Sequence, residues 1–154
     1  MWSRSVCINE SLELGSVIPF VEDAYKNKMS VIIFNPNERK DSVSEKKIEE
    51  FNRMESHCRW VYQNIVKGFS QAKEIYFVSH SMGGYCTVDI LKDFGADLNI
   101  GLIKKIAFTD SVHGMRFRIL DNETYSNLFK NSINFVTSDM EEGKLIKLYR
   151  DSYE

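Results

Sequence analysis

Ile75-Tyr76-Phe77-Val78-Ser79-His80-Ser81-Met82-Gly83-Gly84 is the stretch on which the fold turns. An apolar run stops abruptly at small residues, and Tyr85, Val88, Leu91 and Lys92 then continue at helical spacing. This is the grammar of a nucleophile elbow, in which a serine sits on a strained strand-to-helix turn. Small residues two before and two after it let neighbouring backbone pass close by. Ser81 takes the central position and Gly83 the one two after, but Ser79 stands where the strict GxSxG pattern has its first glycine. Serine is small enough for the place, and Gly84 adds a second glycine to the turn.

Outward from the elbow, strands and helices alternate. Val31-Ile32-Ile33-Phe34 is a short apolar run rich in β-branched residues, bounded by Ser30 and Asn35-Pro36-Asn37, and reads as a strand buried on both faces. Leu102 to Phe108 and Ile133 to Val136 read as two more strands. Helices are expected from Gly15-Ser16 to Asn27-Lys28, with Pro19 in the first turn, and after the elbow as far as a C-cap at Gly95. A third should start at Asp121-Asn122 and run through Lys130. A long one should begin at a Ser44 cap, with Ile48, Phe51, Met54, Cys58, Val61, Ile65 and Phe69 at steps of three and four. Trp2 to Leu14 reads as an irregular lead-in with at most a short extended piece at Val6 to Ile8, Glu38 to Glu50 as a solvated charged stretch running into the long helix, and Glu141 to Glu154 as either a short helix with Leu145 and Leu148 inward or a frayed end. The alternation predicts one α/β domain over residues 1–154: a three-layer, mostly parallel sheet with right-handed crossovers and helices on both faces.

With 154 residues, 43% hydrophobic and 27% charged, the composition is that of a globular chain with one core. A net charge of −2 gives no electrostatic footprint for nucleic acid, so contact with RNA or DNA is expected at most indirectly. Cys7, Cys58 and Cys86 form no CxxC pair, which suggests neither a disulfide framework nor a zinc site, and a reducing compartment is the simplest setting. No cofactor motif is present. No run approaches the roughly 18 apolar residues that a membrane span needs, so no membrane association and no secretory address are expected.

In open α/β sheets ligands bind beyond the carboxyl ends of the strands, and Asn35, Ser81, Asp110, His113 and Asp139 all fall there. A serine hydroxyl becomes a nucleophile when a histidine takes its proton and a carboxylate orients that histidine. Ser81 is the candidate nucleophile, His113 the one histidine downstream of it, and Asp110 and Asp139 the candidate orienters. In hydrolase order the histidine follows the acid on a loop after the last strand, and no histidine follows His113 here. A working triad would therefore draw its base from an unusual place. Each residue also has an ordinary role open to it: Asp110 as an Asx-turn acid, His113 as a structural loop residue, His80 as a packed or hydrogen-bonded group under the elbow, Asp139 as part of an exposed turn. His57, beside the long apolar stripe, reads as a packed or surface histidine.

Taken together and in this order, Val31-Ile32-Ile33-Phe34-Asn35-Pro36-Asn37, His80-Ser81-Met82-Gly83-Gly84, Thr109-Asp110-Ser111-Val112-His113 and Asn134-Phe135-Val136-Thr137-Ser138 resemble the Arb two (Argonaute-binding protein two) domain family, most closely its branch called family with sequence similarity 172. The resemblance spans nearly the whole chain. It implies an α/β-hydrolase-like domain with Ser81 at the nucleophile position and the Met82 N–H as one oxyanion donor. It also implies a nuclear role, or one shared between nucleus and cytoplasm: association with Argonaute and with chromatin and splicing proteins, small-RNA-dependent silencing, and chromatin-coupled alternative splicing.

Against the family pattern, an early strand with its glycine-containing loop and a last strand with an Asp/His-bearing loop have no counterpart here. The expectation is a domain incomplete at both ends, as in a fragment, a truncated paralogue or a mis-assembled gene product, with strand edges left bare inside what should be a continuous sheet. Two functions follow for test: an interaction module with little or no chemistry, or a serine hydrolase of esterase or thioesterase type. If the sheet is incomplete, the isolated chain should bind hydrophobic dye strongly and melt without a cooperative transition. A cooperative thermal melt with low dye binding contradicts this.

Overall fold

A computed structural model describes residues 3–38, 40–41, 43–69 and 71–146. The amino-terminal part forms three helices, α1 Arg4–Asn9, α2 Leu12–Gly15 and α3 Ile18–Lys26. The first two replace the expected irregular lead-in. They are made by contact rather than periodicity: the Ser3 N–H donates to the Gly15 carbonyl at 2.9 Å, and a β-carbon on Gly15 would stand only 2.7 Å from Cys7 Cα. Ser11 caps α2 by accepting from the Leu14 N–H at 3.1 Å. Pro19 lies in the first turn of α3, as its fixed φ and missing N–H favour.

Two expectations fail between α3 and the elbow. Val31-Ile32-Ile33-Phe34 joins no ladder; Val31, Ile32 and Ile33 are exposed, and only Phe34 packs against the core. A β-branched run becomes a strand only where another strand offers hydrogen bonds, and none is beside it among the described residues. The long helix begins at Met54 rather than Ser44. Asp41 takes the Val43 and Ser44 N–H groups at 3.2 and 2.6 Å, a local alternative to helical bonding that holds this stretch as a loop. After a 3₁₀ turn at Glu49–Phe51, α4 spans Met54–Val61 and continues through a π turn at Tyr62–Val66 into α5, Lys67–Phe69.

Strand β1 (Ile75–His80) then leads into α6 (Met82–Asn99), followed by β2 (Ile103–Thr109), a 3₁₀ segment at His113–Ile119, α7 (Asn122–Asn131) and β3 (Ser132–Phe135). The strands are parallel in the order β1-β2-β3, with Val78 opposite Ala107 and Ala107 opposite Ile133. Asp121 caps α7 as expected, accepting from the Thr124 N–H at 2.8 Å. Phe94 leaves helical geometry at φ −125° and ψ 26°, so α6 is two helical runs joined at a kink, and Gly95 stands just after the first run, where the C-cap was expected. It lies inside α6 where Thr124 of α7 crosses, and a β-carbon there would come within 2.9 Å of Thr124 Cγ2. Gly101, at φ +75°, follows the end of α6. Of the expected tail helix, the described part is a turn with Leu145 exposed, and Leu148 lies outside the described residues.

The core is the space between α4, α6, α7 and one face of the sheet. Cys58, Tyr62, Cys86, Val88, Ile90, Leu91, Leu98, Ile103, Ile106, Phe108 and Leu128 fill it. Each fully buried aliphatic side chain contributes about 1.5–3 kcal/mol. Both crossovers step in the same direction across the sheet, and right-handed connections then put α6 and α7 on the same side. The opposite face carries Tyr76, Val78, Ile133 and Phe135, all 41–56% exposed. This is a partial α/β fold: a small parallel sheet, one face built over with helices and the other apolar and open, where a second helical layer was expected.

Candidate functional site

At the carboxyl end of β1 the backbone turns sharply. Ser81 has φ +50° and ψ −122°, a conformation that non-glycine residues avoid and that stores about 1–3 kcal/mol. Three hydrogen bonds fix it. The Ser81 N–H donates to the Thr109 carbonyl at 3.1 Å, and the Ser81 carbonyl accepts from the N–H groups of Gly84 at 3.2 Å and Val112 at 3.3 Å. The elbow is thus tied to the exit of β2, and β2 is tied in turn to β3, where the Asp110 N–H donates to the Phe135 carbonyl at 2.9 Å.

The small residues explain themselves by contact. Ser79 is buried, and its hydroxyl lies 2.7 Å from Thr87 Oγ1. Thr87 donates its single hydroxyl proton to the Gly83 carbonyl at 3.0 Å, so Ser79 must donate to Thr87. A serine replaces the pattern's first glycine without an unsatisfied polar atom because Thr87 of α6 is there to receive it. Gly84 allows the closest approach. A β-carbon on it would overlap Ser111 Oγ and stand 3.1 Å from both His113 Cβ and Phe108 Cδ1.

His113 sits beneath this contact. Its ring stacks on Phe108 with centroids 3.9 Å apart and planes 14° from parallel, and it tilts against Phe117 at 5.4 Å. Nδ1 is buried with no hydrogen-bond partner, and burial lowers its proton affinity below the ordinary histidine value. No hydrogen bond joins Ser81 Oγ to His113, Asp110 or Asp139 among the described residues. Asp110 is exposed at φ +45°, a left-handed conformation that Asp tolerates. Asp139 is exposed in the turn that follows β3. His80 meets its expectation as a hydrogen-bonding group under the elbow, with Nδ1 3.0 Å from the Thr109 carbonyl. Met82 opens α6, where a first-turn N–H has no intrahelical acceptor. The structure therefore assembles the elbow with His113 packed beside it, and among the described residues no hydrogen bond links Ser81 Oγ to the candidate base or acids.

Side chains that sequence reasoning passed over form the strongest polar contacts. Asp89 is 1% exposed inside α6. Arg116 Nη2 donates to it at 2.6 Å, and Arg59 Nη1 lies 3.2 Å away. Asp97 accepts from the Tyr62 hydroxyl at 2.8 Å and from Lys67 at 2.9 Å. The signal was present in Thr87-Val88-Asp89-Ile90-Leu91, because an acid enclosed by buried apolar neighbours must find a cation. Cys58 and Cys86 touch each other within the core; their contact and burial push the Cys58 thiol up, while Cys58 draws the Cys86 thiol down. Among the described residues no group of three or more His, Cys, Asp or Glu side chains could hold a metal ion.

Comparison with known proteins places this geometry. The model of the Arb2 domain matches residues 38–142, a span that takes in the loop before α4, the elbow, β2, the His113 segment and β3. The chain belongs to the Arb2 domain family. Among its relatives, a cotranscriptional regulator ARB2A homolog of Dictyostelium discoideum is 33% identical over 147 positions, covering 74% of this chain and 37% of that protein. A FAM172 family protein homolog of Caenorhabditis elegans is 37% identical over 113 positions, covering 71% of this chain and 33% of that protein. Cotranscriptional regulator ARB2A of Mus musculus is 24% identical over 188 positions, covering 89% and 45%. The match thus spans less than half the length of these relatives. No solved structure matches the chain significantly.

The buried imidazoles give a pH prediction. Burial lowers both His113 and His57, so the folded chain binds fewer protons than the unfolded chain just below the unfolded histidine value of about 6.5. Stability is fully present above that value and falls as pH drops through the lower folded values. NMR titration of the His113 ring should give a midpoint below about 6.5, with amide protection in residues 108–117 declining over the same range. In His113→Phe, which keeps the stacked ring, that decline should weaken. A midpoint at or above the free-histidine value contradicts the buried, unpartnered ring.

Proposed function

We propose that this Arb2 domain is an interaction module on a hydrolase-like scaffold, serving a nuclear cotranscriptional regulatory assembly and performing little or no chemistry at Ser81. The observation that carries the reading is the state of His113. A base must reach the serine proton, and this histidine is stacked between Phe108 and Phe117 with its Nδ1 enclosed and unpartnered. The names of the relatives support the regulatory setting, since those from Dictyostelium, mouse and frog are called cotranscriptional regulators or their homologs. By the same resemblance the partners are Argonaute-type, chromatin and splicing proteins, with nucleic acid met through them. No helix among the described residues is long and apolar enough to cross a membrane.

One observation favours a second reading, a serine hydrolase of esterase or thioesterase type. The Ser81 backbone at φ +50° and ψ −122° is that of a strained elbow, and strain of this kind clusters at functional sites. In that reading Ser81 is the nucleophile, Met82 supplies an oxyanion N–H, and His113 swings out to serve as base with Asp110 or Asp139 as orienter. A fluorophosphonate probe separates the two. The module reading expects no labelling of folded protein and capture of purified Argonaute that is equal in wild type and Ser81→Ala. Labelling that disappears in Ser81→Ala establishes the hydrolase instead, and failure of folded wild type to capture Argonaute overturns the proposed partner.

A further inference from the structure

A polar pocket of about 130 Å³ opens between α4, α6 and the 3₁₀ segment after β2, walled by Arg53, Glu55, Ser56, Arg59, Asp89, Lys92 and Arg116. None of Ser81, Asp110, His113 or Asp139 lines it. Four cationic side chains face two carboxylates in the wall, and Arg59 also pairs with Asp93 just outside it, so about one positive charge is uncompensated in a chain whose net charge is −2. The carboxylates are already held. Arg116 and Arg59 grip Asp89 at 2.6 and 3.2 Å, and Arg53 donates to Glu55 at 2.8 Å. Arg59 also reaches Asp93, outside the wall, at 3.4 Å.

The cations, by contrast, are not used up. A guanidinium has five N–H donors in a fixed fork, more than Asp89, Glu55 and Asp93 take up; Arg116 Nε and Asp89 Oδ2 are both buried without a hydrogen-bond partner. Tyr85 backs the same guanidinium, with Cζ 4.5 Å from the ring centre, which holds the fork in place. Lys92 is exposed at the rim, with no ion pair or hydrogen bond among the described residues. Asp89 thus positions two arginines of the pocket wall.

We infer that this pocket binds a phosphomonoester dianion, as carried by a phosphorylated serine or threonine of a partner protein. A phosphoryl group brings about 1.5 to 2 negative charges and three acceptor oxygens, which suits a net positive wall of forked donors with the exposed Lys92 at its rim. A nucleic acid would need a basic track along its backbone rather than one pocket on an acidic chain. The site does not involve the elbow, and its fate is independent of whether Ser81 reacts.

The test follows the arginine Nε–H signals by two-dimensional NMR while a short neutral peptide is added, with and without a phosphoserine. Phosphorylated peptide should shift the Arg116 and Arg59 signals, inorganic phosphate should compete it away, and Lys92→Ala or Arg53→Ala should weaken binding about tenfold each. Lys92→Ala strands no partner, whereas Arg53→Ala leaves the buried Glu55 unpaired and is read only where the other arginine signals without peptide match those of the wild type. Equal shifts from the unphosphorylated peptide, no shift at millimolar phosphopeptide, or shifts produced by single-stranded RNA that phosphate does not reverse would each overturn the assignment.

Discussion

The close approach of α6 to the exit of β2 is the contact on which the structure depends. Gly84 leaves no room for a side chain between the first turn of the helix and Phe108, Ser111 and His113. Because of that closeness the Ser81 carbonyl can accept from Val112 and the Ser81 N–H can reach Thr109. Those bonds hold Ser81 in a conformation it would not keep alone. Strand, turn, helix and the neighbouring strand's loop are thus a single mechanical unit, and β3 joins it through the Asp110 to Phe135 bond.

The remainder of α6 is secured by charge. Asp89 and Asp97 project from it into nearly dry surroundings, where each is paired with residues from other elements: Arg59 and Arg116 for one, Tyr62 and Lys67 for the other. Buried pairs of this kind add little net stability, but removing one partner strands the other and costs about 3–5 kcal/mol. They therefore set where α4 and the 3₁₀ segment sit against α6. The same cations, held in place by Asp89, form the walls of the polar pocket. Opposite this well-specified half, the face bearing Tyr76, Val78, Ile133 and Phe135 has no such devices.

Much of the fold was legible because it is written in local pattern. The apolar run before Ser79, the glycines at 83 and 84, the acid cap at Asp121 and the β2 and β3 runs each announce their element. What was not legible depends on contact at a distance. Val31 to Phe34 has the composition of a buried strand, yet lacks a neighbour to pair with. Ser44 looks like a cap until Asp41 claims its N–H group. Gly95 follows the kink at Phe94, where a helix end was expected, but that it is also the notch for Thr124 shows only in the packing. Of the candidate site, the elbow was readable from spacing, and the family from four motifs in order. For His113 the sequence left a base and a structural loop residue both open, since whether a histidine points at a serine or stacks under a helix is decided by how the Phe108 and Phe117 rings pack around it.

The central claim is that Ser79 to Gly84 is an architectural joint between β1, α6 and the β2 exit, and the most direct test is native-state hydrogen exchange on Gly84→Ala beside Ser81→Ala. A methyl at position 84 must displace Phe108, Ser111 and His113, so the amides of Ser81 and Val112 should lose protection worth about 1–3 kcal/mol. Removing the Ser81 hydroxyl should leave them unchanged. Full protection in Gly84→Ala, or loss of protection in Ser81→Ala, would contradict the account.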